Sequence, residues 1–353
     1  MFSSLPFGFL FLFTMIFGTL FSISSSHWLG VWAGLEINLI GFLPILVYQK
    51  SMSESESAVK YFIIQALGSS LLIFGSLSSF NISFMWESAS QTEVSIMFFL
   101  IIVSGLITKM GMFPFHYWLP SVMAGLPWVS CMFLATWQKI APLFLMSSLI
   151  ELNSMYYLML SICFLASGSS IAGGVGGVNQ TQIRAILAYS SIGHLGWMVF
   201  AMWQSMWSMK MYFLIYVVIS LCIFLNLWYM NLGTMKNLNM FMKLSIYSSN
   251  GLMLMLISLG GLPPMLGFIS KWVVIVAGMN NIFWSFLLLL VLGSVMSLFY
   301  YLNLYFSIFL GSSKKFMLNS STQSSMSSLM SLGIMLNVIG GIFIIMSNML
   351  MEF

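Results

Sequence analysis

"SLGGLPPMLGFISKWVVIV" (residues 258–276) breaks an apolar run with two glycines and two adjacent prolines, then places Lys271 just beyond them. Proline has no N–H, and its ring clashes with the preceding turn. Pro263 and Pro264 therefore interrupt a helix and free carbonyls near residues 259–260. In water this would be an ordinary loop. In hydrocarbon, freed backbone groups must be covered by protein or wetted. The stretch is a loop or a polar pocket within a membrane, and the solvent around the chain decides which.

Composition decides the solvent. The chain has 353 residues, 60% of them hydrophobic and 5% charged, and no Asp at all. Its mean hydropathy is +1.02. A soluble domain carries roughly 25% charged residues. No polar coat can be built from this sequence, so its surface has to face lipid or other apolar protein. The net charge of +4 is scattered without a basic run, which argues against nucleic acid as a partner. Cys131, Cys163 and Cys222 lie far apart in apolar stretches. They form no metal, iron–sulfur or disulfide pattern and read as buried small residues. A Ser/His/Asp set is impossible without Asp. "GGVGGVNQ" (173–180) does not match G-x-G-x-x-G and reads as close helix packing. The 33 Met and 32 Phe read as core and lipid-facing material. The first basic residue is Lys50, so the start lacks a basic n-region or an Arg-rich face, and the first apolar stretch is expected to be a retained span.

A spanning helix needs about 20 apolar residues. Eleven runs qualify: 5–24, 28–48, 58–80, 95–118, 127–149, 155–175, 182–203, 208–231, 248–279, 282–309 and 327–349. "SMSESES" (51–57) and "NSSTQSSMSS" (319–328) are expected to be loops. Eleven spans put Lys50, Arg184, Lys236, Lys243, Lys314 and Lys315 on the side of the N-terminus. The opposite side receives Lys210 with Glu87, Glu93, Glu151 and Glu352. Lys and Arg accumulate on the side from which a membrane is filled. The N-terminus is then expected inside and the C-terminus outside.

A second interruption, "KMGMFPFH" (109–116), lies in the fourth span, as "GGLPPMLGFISK" (260–271) lies in the ninth. Counted as spans 1–5 and 6–10, each break falls in the fourth helix of its set. Five is odd, so the two sets run in opposite senses. Matching interrupted segments in inverted halves point to a transport site near the midplane. The fold class expected is an all-α, polytopic membrane protein of about eleven transmembrane helices, with two broken helices and an inverted five-helix repeat. The expected divisions are residues 1–150, 151–310 and a closing loop and helix at 311–353.

Four charges lie deep within spans: Glu36, Lys109, Lys139 and Lys271. An ionisable group at that depth costs at least about 2.5–3.5 kcal/mol on insertion scales. Lys60, Lys210 and Lys243 are near enough to span ends to snorkel to the headgroups. Lys139 has about ten apolar-rich residues on either side and cannot. A buried amine that hands on a proton must be able to become neutral, which desolvation favours and a nearby carboxylate opposes. His194, among Tyr189, Ser190 and Ser191, suits a relay because imidazole titrates near neutrality; a satisfied interior histidine is the plainer alternative. His116 follows Pro114 at the first break, where a loop role is equally open. His27 stands at a helix entrance and reads as structural.

Six stretches now carry a resemblance: "SHWLGVWAGLEINLIGFLPIL", "SAVKYFIIQALGSS", "KMGMFPFHYWLP", "TWQKIAP", "GGVNQTQIRAILAYSSIGHLGWM" and "GGLPPMLGFISKW". In this order, between about residues 26 and 273, they closely resemble the antiporter-like membrane-arm subunits of mitochondrial NADH:ubiquinone oxidoreductase, respiratory complex I, of the subunit 2 type. The last 80 residues match in character alone. The resemblance implies a proton-translocating subunit, part of an NADH:ubiquinone reductase, in the mitochondrial inner membrane. It implies Glu36 paired with Lys109, Lys139 as central carrier, Lys271 as terminal lysine, His194 as relay, and Lys60 as a family lysine of less certain role. It implies that FMN, iron–sulfur clusters and ubiquinone lie on other subunits. The partners implied are neighbouring membrane-arm subunits and lipids such as cardiolipin. Fourteen spans in bacterial relatives, less three absent from bilaterian animal versions, leave eleven. A stand-alone cation/proton antiporter and a passive membrane scaffold are the competing functions. The first would usually want several buried carboxylates, and the second predicts no penalty for neutralising the buried lysines.

Overall fold

A computed structural model of the chain describes residues 7–48, 51–83, 93–152, 156–230, 246–279, 284–317, 333–335 and 337–341. The described elements are helices: α1 Gly8–Ser24, α2 Trp28–Leu46, α3 Met52–Ser83, α4 Glu93–Met110, α5 Trp118–Gly125, α6 Trp128–Ala135, a 3₁₀ turn Trp137–Lys139, α7 Ile140–Leu152, α8 Tyr156–Val178, α9 Ile183–Gln204, α10 Met206–Met230, α11 Ile246–Gly260, α12 Leu266–Met279 and α13 Trp284–Met317. Among the described residues, seven segments are long and apolar enough to cross a membrane: Trp28–Leu46, Met52–Ser78, Trp128–Glu151, Tyr156–Val178, Ile183–Gln204, Met206–Trp228 and Trp284–Leu310. The expected spans 5–24, 95–118 and 248–279 fall on shorter apolar helices, the last on two. The expected span 327–349 lies outside the described residues except for helical residues at 333–335 and 337–341. The expected loop at 319–328 lies outside them entirely.

The expected loop at 51–57 is a correction, because α3 already begins at Met52. The backbone N–H of Glu54 donates to Ser51 Oγ at 3.3 Å. Ser51 followed three residues later by Glu54 is the capping-box spacing, and an acidic side chain in the first turn suits the positive end of the helix dipole. The serine-rich stretch therefore starts a helix.

The chain forms two compact units, Met1–Leu165 and Ala166–Phe353. In the first, α1 packs along α2 and α3 along α4, and α2 and α5 also pack on α3. Small residues allow the close approach. A Cβ on Gly18 would come within 2.5 Å of the backbone N of Asn38, and one on Gly34 within 2.6 Å of the N of Ser22. In the second unit, α9 contacts α10, α12 and α13, and its span is 89% buried. A helix buried on nearly every face stands at the centre of its unit, and this one carries His194.

Each sequence-marked break has the same backbone. α4 ends with Gly111 at φ +74° and α11 with Gly261 at φ +78°. Met112 N–H donates to Ile107 O (3.2 Å), and Leu262 N–H to Ile257 O (3.4 Å). These are six-to-one closures of the Schellman type, in which a left-handed residue, normally glycine, ends the helix. The Phe113–Pro114 and Pro263–Pro264 bonds that follow are cis. In the first unit the short helix α5 follows the break, an element absent from the sequence reading.

A third break was not expected. The run 127–149 divides into α6 and α7 around the 3₁₀ turn that contains Lys139. Pro142 explains it, since it offers no N–H to the carbonyl of Gln138 four residues back. Thr136 adds a second cause: its hydroxyl donates to Met132 O at 2.7 Å, a bond that competes with the ladder. Lys139 N–H reaches only three residues back, to Thr136 O at 3.3 Å.

Candidate proton-transfer site

The first unit holds a cavity of about 20 Å³, enough for the centre of one water. Lys109, Lys139, Tyr61, Gln65, Asn38 and Gln138 line it together with apolar side chains. Lys109 is 7% exposed and Lys139 is 2% exposed. The two lysines that sequence separates by thirty positions thus share one polar space. Each arrives by a helix end: Lys109 in the last turn of α4, Lys139 in the 3₁₀ turn. A cation at a helix C-terminus is favoured by the dipole. The carbonyls loosened at the first break are taken up by neutral donors. Trp118 Nε1 donates to Thr108 O (3.2 Å), and Gln65 Nε2 to Lys109 O (3.4 Å).

Glu36 is partly buried on α2. Its Oε1 is buried without a hydrogen-bond partner. The carboxylate acts on Lys109 and on the Tyr61 hydroxyl through space, with no hydrogen bond between carboxylate and ammonium. One turn earlier on the same helix, Trp32 Nε1 is likewise buried and unpartnered. A donor and an acceptor left unsatisfied one turn apart mark a place where water can bridge. Asn38, two residues after Glu36, forms a reciprocal amide pair with Gln138: Asn38 Nδ2 donates to Gln138 Oε1 (2.7 Å), and Gln138 Nε2 to Asn38 Oδ1 (3.1 Å).

The second unit holds a smaller cavity of about 10 Å³, near the lower limit for one water. It is lined by Lys271, His194, Gly193, Trp197, Gly293, Ser170, Ser190, Ser294 and Ser297. Lys271, 8% exposed, donates from Nζ to Gly260 O at 2.8 Å. This is a carbonyl loosened by the prolines, at the position the opening stretch marks. Lys271 lies on α12 yet reaches back to the negative C-terminal end of α11, the favourable pole for an ammonium. Gly261 makes this possible, because a Cβ there would stand 2.9 Å from Lys271 Nζ. His194 Nδ1 is 2.9 Å from Tyr212 Oη, and its ring centroid is 5.2 Å from that of Tyr216. Asn337 holds the downstream half of the break, its Oδ1 accepting from Leu266 N–H at 3.1 Å.

Three sequence candidates, Glu36, His116 and Lys60, line neither cavity. His116 is buried, with Nδ1 3.2 Å from Pro114 O and its ring 4.1 Å from that of Tyr117. Lys60 is exposed on α3 and forms an i,i+4 ion pair with Glu56. Sequence reasoning missed Tyr61, Gln65, Asn38, Gln138, Tyr212 and Asn337. Their signal was a polar group inside an apolar run, weaker than a charge but of the same kind. Among the described residues no group of three His, Cys, Asp or Glu could hold a metal.

Residues 25–297 match the family model described as "NADH:quinone oxidoreductase/Mrp antiporter, TM". The chain is 42% identical over 298 residues to NADH-ubiquinone oxidoreductase chain 2 of Lumbricus terrestris, covering 83% of this chain and 84% of that one. It is 41% identical over 337 residues to the same-named chain of Anopheles gambiae, covering 91% and 92%. Among solved structures, a chain of respiratory complex I from Thermus thermophilus with bound aureothin superposes with a TM-score of 0.77 at 21% identity, over 93% of this chain and 78% of that chain. A chain of the membrane-bound sulfane sulfur reductase, an archaeal respiratory membrane complex, gives 0.82 at 19%, over 94% and 72%. At such identities the likeness is one of fold. The identities above one third, over most of both chains, show that this chain belongs to the NADH-ubiquinone oxidoreductase chain 2 family of antiporter-like membrane subunits.

Proposed function

We propose that the chain is a proton-translocating core membrane subunit of NADH:ubiquinone oxidoreductase, moving protons while electrons pass from NADH to ubiquinone on other subunits. The observation that carries this reading is that Lys109 and Lys139 line a single buried cavity with four polar side chains. Two ammonium groups in one low-dielectric space repel each other, so a proton on one favours release from the other. In this scheme Glu36 sets the charge state of Lys109 from a distance, and Lys109 and Lys139 exchange a proton across the cavity. His194 and Lys271 form a second station in the other unit. His116 lines neither cavity and is given a supporting role at the first break.

The same reading places residues 1–150 and 151–310 as inverted five-helix repeats, with 311–353 as a closing segment. Two breaks ending in the same left-handed glycine closure support it. It places the chain in the mitochondrial inner membrane with its N-terminus on the matrix side and its C-terminus on the intermembrane-space side. Neighbouring antiporter-like subunits and anionic lipids such as cardiolipin would cover its apolar surface. FMN, iron–sulfur clusters and ubiquinone belong to other subunits. The relatives are named as a chain of an oxidoreductase, which favours this reading over a stand-alone exchanger or a scaffold.

Lys109→Ala in the assembled enzyme is expected to lower the proton-to-electron ratio measured in sealed vesicles, whereas Lys60→Ala, at an exposed pair, leaves it at the parent value. An unchanged ratio and rate in Lys109→Ala would sink the assignment.

Gly193 supplies a test of the second cavity. It lines that cavity, and a Cβ built on it meets nothing within 4 Å. Gly193→Ala improves helix propensity by about 0.8–1 kcal/mol, yet its methyl enters the space a water needs. Thermal unfolding of the assembled enzyme is expected at or above the parent temperature, with coupled turnover reduced severalfold. Parent-level turnover would show that the space carries no proton traffic.

A further inference from the structure

The amide pair Asn38–Gln138 is not required by packing. Burying two primary amides is costly unless their groups are bonded, and two leucines would fill the same volume without that cost. What an amide pair adds is direction: each side chain gives one N–H and one lone pair to the other and keeps a second of each. It is also neutral, so it does not compete with Lys139 for a proton.

Its position is more telling. Asn38 stands two residues from Glu36 on α2, and its backbone is pressed by α1, where a Cβ on Gly18 would come within 2.5 Å of its N. That end is fixed. Gln138 stands next to Lys139 in a turn bounded by Thr136 and by Pro142, where the helical ladder is interrupted. That end has the weaker main-chain tether, since the i→i−4 ladder is broken there. Both amides line the cavity that Lys109 and Lys139 share. We propose that the Asn38–Gln138 pair is a positioning device that ties the Lys139 turn to the helix bearing Glu36, holding Lys139 at proton-transfer distance from the cavity and making a shift of one segment move the other. This rests on the reading that Lys139 carries protons.

The test uses the whole assembled enzyme in sealed vesicles, reading NADH-driven turnover and the proton-to-electron ratio. Asn38→Leu and Gln138→Leu are each expected to lower proton-coupled turnover about tenfold, the scale of an ångström-level misplacement. The double leucine variant is expected to be no worse than either single. The reciprocal swap, Asn38→Gln with Gln138→Asn, keeps both amides and the combined side-chain length, and is expected to return turnover to within about twofold of the parent. Leucine variants at parent level, while Lys139→Ala is impaired, overturn the tie. A swap variant that is unassembled or uncoupled overturns it also, and this decides the matter if the leucine variants fail to assemble. Parent-level pumping in Lys139→Ala overturns instead the reading on which the proposal rests.

Discussion

Lys139→Ala is expected to leave the subunit in its assembly and to lower proton flux through it by about a hundredfold, the low end of what a positioned acid–base group contributes. The two halves of this expectation have separate causes. Assembly survives because the side chain is 2% exposed, and an ammonium in such a place costs at least about 2.5–3.5 kcal/mol on insertion scales. Removing it relieves that cost, while the turn itself is set by Pro142 and Thr136. Flux falls because Lys109 then faces the cavity with no second amine to receive its proton. Moving a charge against a potential of about 150–200 mV takes roughly 3.5–4.6 kcal/mol, so a path without a defined carrier either stalls or leaks. The measurement is coupled turnover and proton-to-electron ratio at matched assembly. Both at parent values would remove Lys139 from the mechanism.

Gly261→Ala is expected to have the next largest effect, for reasons of geometry. At φ +78° a residue with a Cβ costs about 1–2 kcal/mol in the left-handed region. The new methyl would also stand 2.9 Å from Nζ and 3.0 Å from Cδ of Lys271. The lysine is the flexible partner, so it is the one that moves, and it leaves Gly260 O. Lower thermal stability and about a tenfold loss of coupled turnover are expected together. Gly111→Ala carries the same backbone penalty at φ +74°, but there the methyl meets Leu119 and Trp118 and no ammonium. A Gly261→Ala enzyme that is destabilised yet fully coupled would show that Lys271 does not need the carbonyl.

What was legible in the sequence, and what was not, follows from how strongly each residue type signals. A proline pair or a lysine in hydrocarbon carries a cost of several kcal/mol. Those features located both glycine-closed breaks, the buried lysines and even the carbonyl that Lys271 finds. Pro142 carried the same message about residue 138 but lacked a glycine beside it, so the third break passed as continuous helix. The serine-rich stretch at 51–57 was misjudged on composition, although Ser51 and Glu54 have the spacing of a helix start. Neutral amides signal least of all. Nothing in one sequence says that Asn38 and Gln138, a hundred positions apart, bond to each other, or that Lys109 and Lys139 face one cavity. Those are products of packing. Periodicity helps little here, because helices surrounded by lipid and protein alike are apolar on every face.

Water held in the two small polar cavities is expected to serve the buried lysines and histidine within each unit. A map of the intact assembly at a resolution that shows ordered water tests it most directly. Water density is expected within hydrogen-bond distance of Lys109 or Lys139 in the first cavity, and beside His194 and Lys271 in the second. Dry cavities, or acyl chains lying against these side chains, would contradict it.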